Sequence, residues 1–137
     1  GEHQLQNAAT ALTVLEVLRT KGWQIPDEAI LKGMRTAVWP GRFECVSRHP
    51  VIIIDGGHNQ QCAEAIAVSL RSYFPGKKCS FLMGVLADKD FHGIFDAILP
   101  LAARIAAVTP DSHRALPAPE LCQRLNMAML RRGLMRQ

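Results

Sequence analysis

Long apolar runs are missing from this sequence of 137 residues, and their absence excludes a membrane-spanning helix. Runs such as residues 51–54 are far shorter than the roughly 20 residues that a bilayer requires. The first ten residues, GEHQLQNAAT, carry neither the basic nor the apolar segment of a signal peptide. By default, therefore, we expect a cytoplasmic protein without a membrane partner.

Metal-ligand spacings and a disulfide framework are also absent. The four cysteines show no C-x-x-C spacing, and three of them lie in apolar, periodic segments, which predicts buried thiols. The net charge is +4, and only the tail LRRGLMRQ concentrates positive charge, with no aromatic residue interleaved there for base stacking. The sequence therefore predicts no metal site of its own and no nucleic-acid partner.

The common nucleotide-binding motifs do not occur either. There is no G-x-x-x-x-G-K-[ST] phosphate loop and no G-x-G-x-x-G fingerprint, and PGKKC at residues 75–79 lacks the upstream glycine. By itself, the chain is not expected to bind a triphosphate through a glycine-rich phosphate loop.

What the sequence contains is a change of pattern near residues 38–42. Before it, apolar residues from Leu5 to Leu18 recur at helical spacing, and Gly22 ends the pattern. The apolar stripe that they form is wide enough to predict a helix that is buried on more than one side. A second helix is predicted to begin at Pro26, whose fixed φ suits a first helical position. The Pro-Gly turn in WPGR, residues 39–42, then breaks the pattern.

After this break, strand patterns alternate with helical patterns. Strands are predicted at residues 51–54, 80–85 and 105–109, and a helical pattern follows each of them. FECVS, residues 43–47, is predicted to pair antiparallel with the strand that follows it. Three successive strand-then-helix units predict an α/β fold: a Rossmann-like, mostly parallel sheet with flanking helices, preceded by a helical hairpin.

Polar clusters follow the three predicted strands. They are DGGHN at residues 55–59, DKD at 88–90 and TPDSHR at 109–114. Because the carboxyl ends of parallel strands meet at the same edge of a sheet, all three clusters are expected on one rim, where ligands bind. Asn59 and Asp90 also have the positions of helix N-caps.

Each candidate residue in these clusters has a plain structural alternative. Asp55 either faces a ligand or is satisfied by amide groups of the turn, and His58 alone is typical of a turn residue. Lys89 is either a solvated charge or a ligand contact. Arg42, beside a rigid turn, is either a surface residue or a guanidinium placed to bind phosphate.

Five segments, in order, resemble the C-terminal part of folylpolyglutamate synthase and dihydrofolate synthase, in the Mur ligase superfamily. They are GEHQLQNAATAL, WPGRFE, DGGHN, GVLADKD and HRAL, which together extend from residue 1 to about residue 117. The sequence departs from the family at Gly57, where alanine is usual, and at Gln60, where proline is frequent. The terminal strands of the family are not recognisable after HRAL, so we expect a truncated chain.

The resemblance implies an ATP-dependent ligase that joins a folate carboxylate to the amine of glutamate through an acyl phosphate. It implies nucleotide contacts, with Arg42 near the phosphates, Asp55 on the ribose, His58 beside the nucleotide and Asn7 near the adenine. It places Asp88, Lys89 and Asp90 toward the amino-acid substrate or the reacting phosphate. The ligands for Mg²⁺ are expected in a central ATPase domain that this chain lacks.

The resemblance also implies a domain organisation. Residues 1–38 are expected to be a helical remnant of the central ATPase domain, and residues 39–137 a Mur-ligase-type C-terminal domain with a Rossmann-like fold. Such a chain is expected to be inactive in isolation. Two alternatives stay open: another Mur-type amino-acid ligase, and a non-catalytic α/β module that binds a nucleotide or a protein.

Overall fold

The computed structural model describes the backbone of residues 2–134 and the side chains of residues 4–134. The chain divides into two compact units, unit 1 (Gly1–Asp55) and unit 2 (Gly56–Gln137). The boundary that the sequence suggests near residue 38 lies inside unit 1. The ends of the two expected domains, residues 1 and 135–137, lie outside the described residues.

Unit 1 begins with two helices, α1 (Glu2–Thr20) and α2 (Asp27–Thr36), as the sequence predicts. Arg19 holds the turn between them. Its Nε donates to the carbonyl oxygen of Ile25 at 2.8 Å, and its Nη2 donates to Oδ1 of Asp27 at 2.5 Å. The hydrogen bond to Asp27 raises the pKa of Arg19 above its ordinary value. Polar contacts of one side chain therefore connect the two helices.

The apolar side chains of unit 1 remain largely in contact with solvent. No residue of α2 is buried, and Leu5, Val14 and Val17 of α1 are 72%, 53% and 49% exposed. The expectation that α1 is buried on more than one side is therefore wrong for this chain. None of the described helices in either unit is long and apolar enough to cross a membrane.

Unit 1 ends in a β-hairpin. Strands β1 (Glu44–Arg48) and β2 (Val51–Ile54) pair antiparallel, which confirms both strands and their predicted direction. The register shifts between Cys45 and Ser47. A short turn joins the strands and contains a cis peptide bond between His49 and Pro50.

Unit 2 alternates helices and strands. Its elements are α3 (Gln60–Tyr73), β3 (Cys79–Met83), α4 (Phe91–Ile98), a short 3₁₀ helix (Leu99–Leu101), β4 (Ala102–Ala107) and α5 (Ala118–Arg131). The strands β3 and β4 pair in parallel, and α4 connects them. The strand β4 begins three residues before the predicted start at residue 105, since alanine and arginine carry little strand signal.

The predicted fold class is confirmed. The protein is an α/β protein with a helical hairpin at its start and a parallel strand pair connected through a helix. Within the described residues, the strands form two two-stranded sheets, β1 with β2 and β3 with β4.

The apolar core lies in unit 2, between the parallel strand pair and the helices α4 and α5. Phe95 and Leu121 are its largest fully buried side chains, at 1% and 0% exposure. The other buried members of this cluster are Val85, Phe91, Leu99, Leu116 and Leu125. Met83 and Ile105, one from each strand, pack against the cluster, so the core fixes how the strands and helices meet.

The cysteines contribute less to the interior than expected. All four are free thiols, as predicted, but Cys45 and Cys122 are exposed and the other two are only half-buried. The prediction of buried thiols is wrong, because the periodic segments that hold them turn these positions toward solvent.

Replacing Leu121 by alanine should destabilise the protein by about 2 to 5 kcal/mol, because it leaves a cavity in the core of unit 2. Urea unfolding monitored by circular dichroism measures the change. The matched control is Leu130→Ala on the same helix, where the side chain is 44% exposed and the loss should stay within about 1 kcal/mol. Equal losses at the two positions would contradict this account of the core.

Candidate functional site

The site residues predicted from the sequence fall into two groups, one in each unit. Unit 1 holds Asn7, Arg42 and Asp55, and unit 2 holds His58, Asp88, Lys89 and Asp90. Asn7 is exposed on α1.

In unit 1, Asp55 orders the turn that carries Arg42. Oδ2 of Asp55 accepts a hydrogen bond from the backbone N–H of Phe43 at 2.7 Å. Phe43 has a φ of 46°, a conformation that is unfavourable for a residue with a side chain, so this hydrogen bond offsets part of its strain. The N–H of Gly41 donates to Oε2 of Glu44 at 2.7 Å. Arg42 lies between these two anchored residues and is exposed.

The segment after Asp55 leads into α3. Oδ1 of Asn59 accepts from the N–H of Cys62 at 2.8 Å, which confirms the predicted N-cap. His58 is exposed, and its Nδ1 lies 3.3 Å from the carbonyl oxygen of Gly56. The imidazole therefore has the local contact that is expected of a turn residue.

In unit 2, the loops that follow β3 and β4 lie together. Leu86 and Ala115 form an isolated antiparallel bridge. On either side of this bridge, the N–H of Ala87 donates to the carbonyl oxygen of Arg114 at 2.8 Å, and the N–H of Leu116 donates to that of Val85 at 2.9 Å. This arrangement is the one expected where two neighbouring parallel strands end.

Gly84, at the end of β3, makes this close approach possible. A Cβ atom at this position would lie 2.8 Å from Cγ of Pro110 and 3.2 Å from the carbonyl oxygen of Val108. Neither a proline ring nor a backbone oxygen can move aside easily. A side chain at residue 84 would therefore push the two loops apart.

The DKD segment is held at both of its acids. Oδ2 of Asp88 accepts from Nη2 of Arg114 at 2.5 Å and lies 3.7 Å from Nζ of Lys89. Oδ1 of Asp90 accepts from the N–H of His92 at 3.0 Å, which confirms the predicted N-cap of α4. Lys89 lies between these two fixed acids, and its side chain is 30% exposed.

Arg114 joins the DKD segment in one cluster, and the sequence predicts no role for it. It lies in the third polar cluster and in the segment HRAL, but only the structure shows that it reaches Asp88, 26 positions earlier in the chain. Its hydrogen bond lowers the pKa of Asp88 below the ordinary value of 3.8. At neutral pH the cluster therefore contains one carboxylate shared by two cations.

This cluster has chemistry suited to anionic ligands. An ammonium and a guanidinium held by fixed neighbours stabilise negative charge on carboxylate or phosphoryl oxygens. Among the described residues, no group of three or more His, Cys, Asp or Glu side chains is arranged to hold a metal ion.

Comparison with protein families gives a match over most of the chain. Residues 41–134 match the model of the Mur ligase, glutamate ligase domain. This segment contains all the predicted site residues except Asn7.

Individual proteins extend the likeness beyond this segment. A dihydrofolate synthase/folylpolyglutamate synthase of Bacillus subtilis is 34% identical over 122 residues, or 88% of this chain and 28% of that protein. The solved structure of Mycobacterium tuberculosis folylpolyglutamate synthase complexed with ADP is 32% identical to this chain and has a TM-score of 0.80. The match covers 96% of this chain and 28% of that one. A bifunctional folylpolyglutamate synthase/dihydrofolate synthase with Mn, AMPPNP and L-glutamate bound is 28% identical, with a TM-score of 0.70, over 92% of this chain and 33% of that one. The chain thus spans about a quarter to a third of the length of these relatives.

Replacing Asp55 by alanine should speed hydrogen exchange at the Phe43 amide by about tenfold or more, because the variant removes a charged acceptor. NMR-detected exchange of the 137-residue chain measures the effect. Asp55→Asn, which keeps one oxygen, should retain part of the protection. Unchanged exchange in the alanine variant would show that Asp55 does not order this turn.

The carboxyl group of Asp88 should titrate with a midpoint below 3.8, in a carbon-detected NMR titration of its side chain. A pKa that is lower in the folded than in the unfolded protein stabilises the fold above the unfolded value. The stability difference between the wild type and Asp88→Asn should therefore be present at neutral pH and should shrink as the pH falls below 3.8. A midpoint at or above 3.8 would contradict the ion pair with Arg114.

Proposed function

Because residues 41–134 match its model, the chain belongs to the family of the Mur ligase, glutamate ligase domain, and we propose that it is the C-terminal part of an ATP-dependent ligase that adds glutamate to a folate carboxylate. The family match is the observation that carries this proposal. The names of the relatives, which are folylpolyglutamate and dihydrofolate synthases, support the choice of folate and glutamate.

The reaction needs fixed positive charge where a phosphate group leaves. An oxygen of the folate carboxylate attacks the γ-phosphorus of ATP, the bond to ADP breaks, and an acyl phosphate forms. The amine of glutamate then attacks the carbonyl carbon and loses a proton to solvent, and inorganic phosphate departs with the electron pair of the broken C–O bond. Lys89 is suited to this step, because its neighbours in the sequence, Asp88 and Asp90, are both anchored and its own side chain is partly open to solvent. We assign Lys89, with Asp88 and Asp90, to the amino-acid substrate or the reacting phosphate.

The nucleotide contacts are proposed residue by residue. Arg42 is exposed on an ordered turn, as a guanidinium that binds phosphate must be. Asp55 is assigned to the ribose, His58 to the neighbourhood of the nucleotide and Asn7 to the adenine. In this assignment Asp55 has two roles, since its carboxylate also orders the turn that carries Arg42.

The described residues do not form a site for Mg²⁺, since they contain no cluster of carboxylates that fits a metal ion. The phosphate-binding loop and the magnesium ligands are assigned to a central ATPase domain, corresponding to the part of the relatives that this chain does not match.

The division of the chain follows from the same proposal. Residues 1–38 are assigned to the end of the central ATPase domain and residues 39–137 to the C-terminal domain. The exposed apolar side chains of α1 support the first assignment, because an apolar helix face of this kind is typical of a surface that packs against another part of a protein.

A chimera tests the proposed activity. The part of the Bacillus subtilis relative that precedes its matched segment is joined to this chain, and release of ADP is measured with dihydropteroate or a reduced folate. We expect ADP release that depends on L-glutamate, and a loss of about 100-fold in kcat for Lys89→Met, because a fixed cation is removed from the reacting group. The isolated chain should not hydrolyse ATP.

Lys77→Met is the matched control, since Lys77 is an exposed lysine in the same unit, outside the cluster. Nucleotide binding without turnover would favour the non-catalytic α/β module. Turnover with a peptidoglycan precursor in place of a folate would favour another Mur-type ligase.

A further inference from the structure

Asp88 is the meeting point of two cations at different distances. The guanidinium of Arg114 donates to its Oδ2 at 2.5 Å, whereas the ammonium of Lys89 lies 3.7 Å from the same oxygen. The shorter contact is a charge-assisted hydrogen bond, and the longer one is an ion pair beyond hydrogen-bonding distance. Arg114 therefore takes the carboxylate that Lys89 would otherwise bind directly.

The backbone around Arg114 is fixed independently of this ion pair. The carbonyl oxygen of Arg114 accepts a hydrogen bond from the N–H of Ala87. The backbone N–H of Arg114 donates to Oγ of Ser112 at 3.2 Å. The side chain of Arg114 thus extends from a loop whose backbone is already hydrogen-bonded to the segment before Asp88. Side chain and backbone together connect the loop after β4 to the loop after β3.

From this geometry we propose that Arg114 is a positioning residue: by holding Asp88, it fixes the loop at residues 86–90 and leaves the ammonium of Lys89 available to an anionic substrate group. The inference rests on the proposed function for the identity of that group. Nothing in the proposal requires Arg114 to touch the substrate.

Removal of the guanidinium has two physical consequences. One of the two anchors of the segment Asp88–Asp90 is lost, while the cap of α4 by Asp90 remains. Lys89 is then the nearest remaining cation of this cluster to Asp88. A hydrogen-bonded ion pair between these two side chains makes the ammonium unavailable to a ligand. Both effects weaken substrate handling by Lys89 and leave nucleotide binding unaffected.

The first test uses the 137-residue chain itself. In Arg114→Met, the backbone order parameters at residues 88 and 89 should fall from about 0.85 toward 0.6, and the pKa of Asp88 should rise. Arg114→Lys should give intermediate values, since it keeps the charge but not the forked geometry. Arg104→Met, an exposed arginine on β4, is the matched control and should change neither quantity. An unchanged loop in Arg114→Met would overturn the proposal.

The second test measures kinetics in the chimera described above. Arg114→Met should raise KM for glutamate or lower kcat by about 10- to 100-fold, with KM for ATP unchanged, and Arg114→Lys should restore part of the loss. Kinetics equal to the wild type, despite a loosened loop, would overturn the positioning role. If the chimera with the unaltered chain shows no turnover, the proposed function fails, whereas the order parameters of the isolated chain still decide whether Arg114 holds the loop.

Discussion

The parallel pairing of β3 with β4 is the constraint on which the rest of unit 2 depends. It aligns the carboxyl ends of the two strands, and the apolar cluster around Phe95 and Leu121 holds the helices α4 and α5 against them. Because both strands then end at the same level, the loops that follow must run side by side. The bridge between Leu86 and Ala115, and the ion pair between Asp88 and Arg114, are consequences of that alignment.

Local anchoring of the residues beside the proposed site cations is a common feature of both units. In unit 1, Asp55 binds the N–H of Phe43 and so orders the turn that presents Arg42. In unit 2, Arg114 and the first turn of α4 hold the acids on either side of Lys89. In each case a cation that is at least partly open to solvent lies between anchored neighbours in the sequence. Such an arrangement lowers the entropy that a ligand must overcome when it orders the cation.

The sequence predicts the elements well because their signals are local. Pro26, Asn59 and Asp90 mark helix starts through fixed backbone angles or capping oxygens, and the β-branched run at residues 51–54 marks a strand. Burial is predicted less well, since it depends on neighbours that lie far away in the sequence. The sequence predicts the apolar stripe of α1 and the cysteines inside, yet among the described residues α1 keeps exposed apolar side chains and no cysteine is fully buried. The contact of Arg114 cannot be predicted from the sequence for the same reason, because its partner, Asp88, lies on another loop.

The uneven distribution of buried side chains between the units has a thermodynamic consequence. The heat capacity increment of denaturation reflects the apolar surface that becomes hydrated when a protein melts. The described residues of unit 1 include none that is fully shielded, so melting of this chain hydrates mainly the interior of unit 2. A calorimeter should then record an increment of roughly 1 kcal/mol/K, typical of a body of about 80 residues, instead of the roughly 1.9 kcal/mol/K of a chain of this length with a continuous interior.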